Sequence, residues 1–230
     1  MTGSTNLRSR AVRQLAFTIA AFAAVIFLPA GTLRFWQGWI FLLLTAGLSV
    51  FFSFDLLKHS PELIARRLQR REPEPRQRLL QALIKFIFFS GFILAGLDFR
   101  FGWSRAWLGR FPLVLIVAGE VFMASGYWLA FWVTKTNRFA GSTVQVEQGQ
   151  AVITTGPYAV VRHPMYAGIA LVSLAAPLAL GSYVALPVFA LMVPVLAFRL
   201  IHEEEILCRQ LPGYSEYRAR TRFRLVPGVW

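Results

Sequence analysis

Two short clusters in the C-terminal half hold the residue types that could grip a small charged molecule. The first is Gly156-Pro157-Tyr158-Ala159-Val160-Val161-Arg162-His163-Pro164-Met165-Tyr166-Ala167-Gly168. Gly156-Pro157 breaks local regularity, and Pro164 sets the start of a helix. The free N–H groups of that helix end suit an anionic group. The second cluster is Arg199-Leu200-Ile201-His202-Glu203-Glu204-Glu205. Arg199 and Glu203 are four apart, so on one helix they share a face and can pair. Carboxylates at the end of an apolar helix call for water, a cation or a basic partner. A cation such as a sulfonium bearing an α-amino group would suit them, and an arginine beside them could hold a carboxylate or phosphate in two-point fashion.

The surrounding elements are those of a membrane protein. Of 230 residues, 56% are apolar and only 15% charged, well short of the quarter typical of soluble domains. The apolar residues fall in blocks, and about 20 such residues cross a bilayer as a helix. Six blocks qualify: Ala11–Ala30, Phe35–Leu57, Leu79–Leu97, Phe111–Val133, Tyr166–Leu180 and Ala185–Ile201. The fifth is short and is expected to form a hairpin with the sixth. The fold class expected is an all-α polytopic membrane protein of five to six transmembrane helices. Residues 1–134 supply N-terminal spans, and 135–230 a C-terminal region that carries the chemistry-bearing clusters, with a loop, a helical hairpin and a helical tail. Between the fourth and fifth blocks, Thr143–Gln148 and Ala151–Thr155 alternate like a short surface hairpin about Gly149. The first block follows Arg8, Arg10 and Arg13 but lacks a small-residue cleavage site, so it reads as a retained helix.

The net charge of +13 would suit nucleic acid, but most of the basic residues flank spans, where they set topology and meet anionic headgroups. No nucleic-acid partner is expected; the partners are membrane lipids. Lys58, Arg66, Arg67, Arg70, Arg71, Arg76 and Arg78 share a face with the basic N-terminus, which the positive-inside rule makes cytoplasmic. Arg100, Arg105 and Arg110 run mildly against that orientation. Both chemistry-bearing clusters then face the cytoplasm, as expected for a multi-pass protein of a bacterial inner membrane. The single cysteine, Cys208, excludes an internal disulfide, and no Cys/His spacing suggests a metal site.

Taken together, Gly156-x-Tyr158-x3-Arg162-His163-Pro164-x-Tyr166-x-Gly168, Arg199-x3-Glu203-Glu204-x2-Leu207, then Tyr214 and Tyr217, resemble the isoprenylcysteine carboxyl methyltransferase family over about residues 143–227. The resemblance implies an S-adenosylmethionine-dependent membrane methyltransferase acting on a lipidic or prenylated acceptor drawn from the bilayer. It assigns the cofactor to Gln145, Gln150, Ala151, Val152, Ile153, Tyr158, His163, Pro164, Met165, Tyr166, Glu203 and Glu204, and the acceptor carboxylate to Arg199, with Arg199 and Glu203 at the catalytic centre. Two departures stand out: Gln150 replaces a histidine of eukaryotic members, and Leu211-Pro212-Gly213-Tyr214 replaces Phe-Gly-x-x-Tyr.

Carboxylate methylation fits a sequence without a catalytic dyad. A carboxylate is already nucleophilic at neutral pH and needs chiefly to be positioned. An amine must lose a proton, for which Glu203 and Glu204 are the nearby bases. The alternatives are a phospholipid amine N-methyltransferase and a nicotinamide-dependent membrane reductase of the sterol-reductase type, which shares a similar Arg-His-Pro-x-Tyr-x-Gly segment.

Overall fold

The computed structural model describes residues 2–69, 72, 74–139, 146 and 149–230. The described residues form a bundle of helices that cover every apolar block of the sequence, the sixth as two helices. In order these are α1 (Thr2–Ala30), α2 (Trp36–His59), α3 (Pro61–Gln69), α4 (Pro75–Phe101), α5 (Trp103–Leu108), α6 (Leu113–Thr136), α7 (Pro164–Ala179), α8 (Leu186–Ala190), α9 (Met192–Gln210) and α10 (Tyr214–Arg220). Among the described residues, five segments are long and apolar enough to cross a membrane: Leu7–Ala30, Trp36–His59, Pro75–Phe101, Leu113–Thr136 and Leu186–Gln210. The last comprises α8 and α9. Pro194 has no N–H to donate to the carbonyl of Ala190, which is where the helix is interrupted.

The fifth apolar block, α7, is shorter. It contacts α8 and α9, as expected of a hairpin, but its most extensive packing is on α6. Glycines allow this. A Cβ on Gly126 would lie 2.7 Å from Val172 Cγ2 and 2.8 Å from the carbonyl of Gly168, and one on Gly168 would lie 3.0 Å from the carbonyl of Gly126. Small residues let two membrane helices approach backbone to backbone, where water cannot supply a hydrophobic driving force. Elsewhere the core is aromatic: Phe22, Phe41, Phe88 and Phe189 surround Phe92 edge-on at centroid distances of 4.7–5.5 Å.

The two ends of the bundle are fastened differently. At one end, Lys135 of α6 donates to Asp55 of α2 at 2.8 Å. The basic stretch after α2 contains the amphipathic helix α3, whose Leu63 and Ile64 bury against Leu56. At the other end, buried Asp98 accepts the Ser104 backbone N–H at 2.7 Å and the hydroxyls of Ser104 and Ser182, tying α4 to the α7–α8 turn.

The surface hairpin expected at 143–155 takes a different form where it is described. Its first arm lies outside the described residues except for Val146. Residues 151–155 run as irregular chain, and no strand occurs among the described residues. Side-chain packing takes the place of a strand ladder: Val146 and Val152 pack on the cluster of Leu211, Tyr214 and Tyr217.

Candidate active site

The two clusters converge on one cavity of about 500 Å³, at the end of the bundle where Lys135 meets Asp55. The α9 face that lines it reads Leu196, Arg199, Glu203, Leu207, then Leu211 just past the helix. Steps of three and four residues keep these on one side of a helix. Fifteen residues at 1.5 Å each give the cavity a wall of roughly 20 Å along the bundle axis. Ile84, Ile169 and Leu196 are its apolar deep end, Arg199, Tyr166 and Glu203 its polar middle, and Gln150, Val152, Tyr158, Tyr214 and Tyr217 its outer end.

A hydrogen-bonded chain crosses the middle. Arg199 Nε donates to the hydroxyl of Tyr166 at 2.8 Å, and that hydroxyl donates to Glu203 Oε2. The expected link between Arg199 and Glu203 therefore runs through Tyr166. Arg199 is buried, and its Nη2 lies 3.7 Å from Glu72 Oε2, from the segment before α4. Gln81 also donates to Glu72, at 3.2 Å, and fully buried Gln77 donates to the backbone carbonyl of Arg199 at 3.2 Å.

Glu204, next in sequence, points elsewhere. It is buried, accepts from Arg162 Nε at 2.6 Å and Arg224 Nε at 3.0 Å, and lies 3.2 Å from His163 Nε2. Glu204 does not line the cavity. It joins α9, the turn before α7 and the C-terminal segment into one wall. The backbone N–H groups of Arg162 and His163 donate to the carbonyls of Phe223 and Arg224, each at 2.9 Å. Arg162 also donates through Nη1 to the carbonyls of Thr221 and Arg222.

Local geometry explains the motif glycines. Gly156 has φ +58 and opens the short 3₁₀ turn Gly156–Ala159 that carries Tyr158. Gly213 has φ +83 and starts α10, so Leu211-Pro212-Gly213-Tyr214 makes the turn that presents Tyr214. Asn137 Nδ2 donates to the Tyr158 hydroxyl at 2.9 Å, and the Tyr217 hydroxyl donates to the Tyr158 carbonyl at 2.8 Å. Burial pushes the Tyr158 and Tyr217 phenols up to about 12 and that of Tyr214 higher still, so all three are protonated at neutral pH.

Of the residues expected from sequence, Gln150, Ala151, Val152, Ile153, Tyr158, His163, Pro164, Met165, Tyr166, Arg199 and Glu203 all line the cavity. Gln145 lies outside the described residues. Sequence reasoning missed Glu72, Gln77, Gln81, Lys85 and Asn137. A signal was present for three of them. Gln77, Gln81 and Lys85 recur every fourth residue, a polar stripe on an otherwise apolar helix, which inside a membrane marks a functional face.

No curated protein matches the sequence. Residues 114–212, a little under half the chain, match the family model described as phospholipid methyltransferase. That segment runs from α6 through the motif turn, α7 and α9, so the likeness to a membrane methyltransferase family falls on most of the elements that wall the cavity.

Proposed function

We propose that this chain is an integral-membrane methyltransferase that uses S-adenosylmethionine to methylate a lipidic acceptor, the most direct acceptor being a carboxylate of the isoprenylcysteine type. The observation that carries the reading is the cavity itself: polar at its outer end and middle, apolar at its deep end, and walled largely by the segment that matches phospholipid methyltransferases. The match is to a methyl-transfer family and supports that chemistry over nicotinamide-dependent reduction.

The residues fit the cofactor. Glu203 offers a half-buried carboxylate to a cationic amino group. The Tyr214 hydroxyl is buried in the wall with no hydrogen-bond partner among the described residues, a group that a bound ligand would satisfy. Gln150–Ile153, Tyr158 and His163–Tyr166 complete the outer compartment. When bound, S-adenosylmethionine supplies a methyl group on a sulfonium sulfur and is left as the neutral thioether S-adenosylhomocysteine.

Arg199 faces the cavity between the polar and apolar halves, where an amphiphile's head would arrive. Tyr166 and Glu72 fix the guanidinium, so it meets an acceptor already oriented. A carboxylate held there is ionised at neutral pH and needs no base. The family match favours a second acceptor, a phospholipid amine. There Glu203 is the cavity-facing carboxylate able to take the proton that the amine must lose. In either case the site opens toward the cytoplasm, where the cofactor is made.

The test is calorimetry on detergent-purified protein. Wild type is expected to bind S-adenosylhomocysteine, and Glu203→Gln to lose about ten- to a hundred-fold in affinity, the worth of a charge-assisted hydrogen bond. Arg199→Lys keeps the charge but loses the planar fork, so it should bind S-adenosylhomocysteine near normally and lose turnover by on the order of a hundred-fold. Unchanged affinity in Glu203→Gln would remove that carboxylate from the cofactor site. Equal loss of cofactor affinity in both Arg199→Lys and Arg199→Ala would make Arg199 a structural strut.

A further inference from the structure

Lys85 belongs to the cavity, yet neither the resemblance nor the cofactor reading gives it a role. It lies ten residues into α4, roughly 15 Å from the first residue of that helix at 1.5 Å per residue. It is the one cation between Arg78 and Arg100 in a stretch otherwise rich in Leu, Ile and Phe. An ammonium at that depth is costly in hydrocarbon unless it faces water, a partner or a ligand. Lys85 has no ion-pair partner among the described residues, in contrast to Arg162, Arg199 and Arg224, each held by a glutamate.

Its surroundings define what it faces. Lys85 lines the cavity beside Ile84, at the end where Ile169 and Leu196 make an apolar pocket. It is also exposed, and its neighbours Leu83, Phe86 and Phe89 are exposed on the outside of α4. One side chain thus borders both the deep end of the cavity and the lipid-facing surface. A lysine on such a rim is a point charge on a flexible stem, suited to an anion whose exact geometry is not fixed. An amphiphile entering sideways would put its tail along Ile84, Ile169 and Leu196 and its head toward Arg199 and Glu203. Lys85 lies at the head–tail boundary of that path.

We propose that Lys85 is the specificity-determining cation of the acceptor site: it binds an anionic group, phosphodiester or carboxylate, on a single-tailed or double-tailed amphiphile admitted from the bilayer past α4. The proposal rests on the methyltransferase reading for calling the amphiphile an acceptor, but the lipid-binding claim is separable from it. Amphiphilic amines that carry no anion are disfavoured by the same ammonium.

The experiment uses full-length protein in a neutral detergent, without any cofactor analogue. Three probes are titrated and bound lipid is read by native mass spectrometry: lysophosphatidylethanolamine (phosphodiester), dodecanoate (carboxylate) and a monoacylglycerol (uncharged). Wild type is expected to prefer at least one anionic probe over the monoacylglycerol by about ten-fold or more, and which one it prefers identifies the anion. Lys85→Gln should weaken the preferred anionic probe by about ten- to a hundred-fold and leave the monoacylglycerol unchanged, Arg199 supplying whatever preference is left, while Lys85→Arg keeps most of the wild-type affinity. Calorimetry with S-adenosylhomocysteine should give Lys85→Gln an affinity within about two-fold of wild type. Wild type without an anionic preference, or Lys85→Gln that retains it undiminished, overturns the proposal. Wild type that prefers an anionic probe through Lys85 but binds no S-adenosylhomocysteine sustains the lipid site and overturns the methyltransferase reading.

Discussion

Glu203 and Glu204 are neighbours in sequence with opposite surroundings, because consecutive residues of a helix point about 100° apart. Glu203 faces the cavity, and Glu204 is buried among Arg162, His163 and Arg224. Removing one partner from a buried ionic cluster leaves charge uncompensated and costs on the order of 3–5 kcal/mol. Glu204→Gln is therefore expected to lower the thermal midpoint markedly, whereas Glu203→Gln should unfold near wild type and fail in cofactor binding. Thermal melts of the two variants side by side check this, and equal midpoints would contradict the division of labour. The sequence displayed the triple glutamate as conspicuous but not which member faces where, since that depends on the rotation of α9 against the motif turn. Glu72 was less legible still: its role comes from lying near Arg199, 127 positions later, and no local pattern announces such a pairing.

At the level of elements, the apolar blocks gave the order of the long helices, because length and uniform hydropathy suffice to define a span, but not the break between α8 and α9 or the short helices α3, α5 and α10. Their mutual packing was not readable in the same way. The close partner of α7 is α6, selected by Gly126 and Gly168, whose meaning appears only when two backbones are brought together. Gly168→Leu should wedge that contact open, with a cost of about 1–3 kcal/mol or more for an overpacked site. Since α7 begins at the cavity, S-adenosylhomocysteine binding should weaken along with stability. Gly47→Leu is the control, because nothing lies within 4 Å of a Cβ there. Melting temperatures that fall equally in both variants would mean that α6 and α7 do not depend on this close approach. The surface hairpin illustrates the converse failure: alternation at 151–155 reflects which side chains meet Leu211, Tyr214 and the cavity, and the chain achieves it without strand pairing.

For the whole molecule, orientation across the membrane decides whether the site meets a cytosolic cofactor. By the positive-inside rule the Lys/Arg distribution predicts that the cavity end lies inside. In a Cys208→Ser background, Lys58→Cys should resist a membrane-impermeant maleimide in intact cells and react after permeabilisation. Arg105→Cys, in α5 at the opposite end, should react in intact cells. The reverse pattern would place the cavity on the wrong side for the proposed chemistry.

The pairing of Arg162 and His163 with Phe223 and Arg224 also bears on how the protein is born. A ribosome adding roughly 5–20 residues per second needs several seconds to travel from the motif turn to the segment that fastens it. The five candidate spans among the described residues all precede that segment in the chain. During that interval Arg162 lacks its backbone carbonyl acceptors at Thr221 and Arg222, and the Glu204 cluster lacks Arg224. A chain cut short before residue 221 would thus keep all five candidate spans of the described residues and still lack one side of its cavity. The spans and the closed site therefore have different requirements: the first need only the helices up to Gln210, the second also needs residues 221–224 docked on the motif turn.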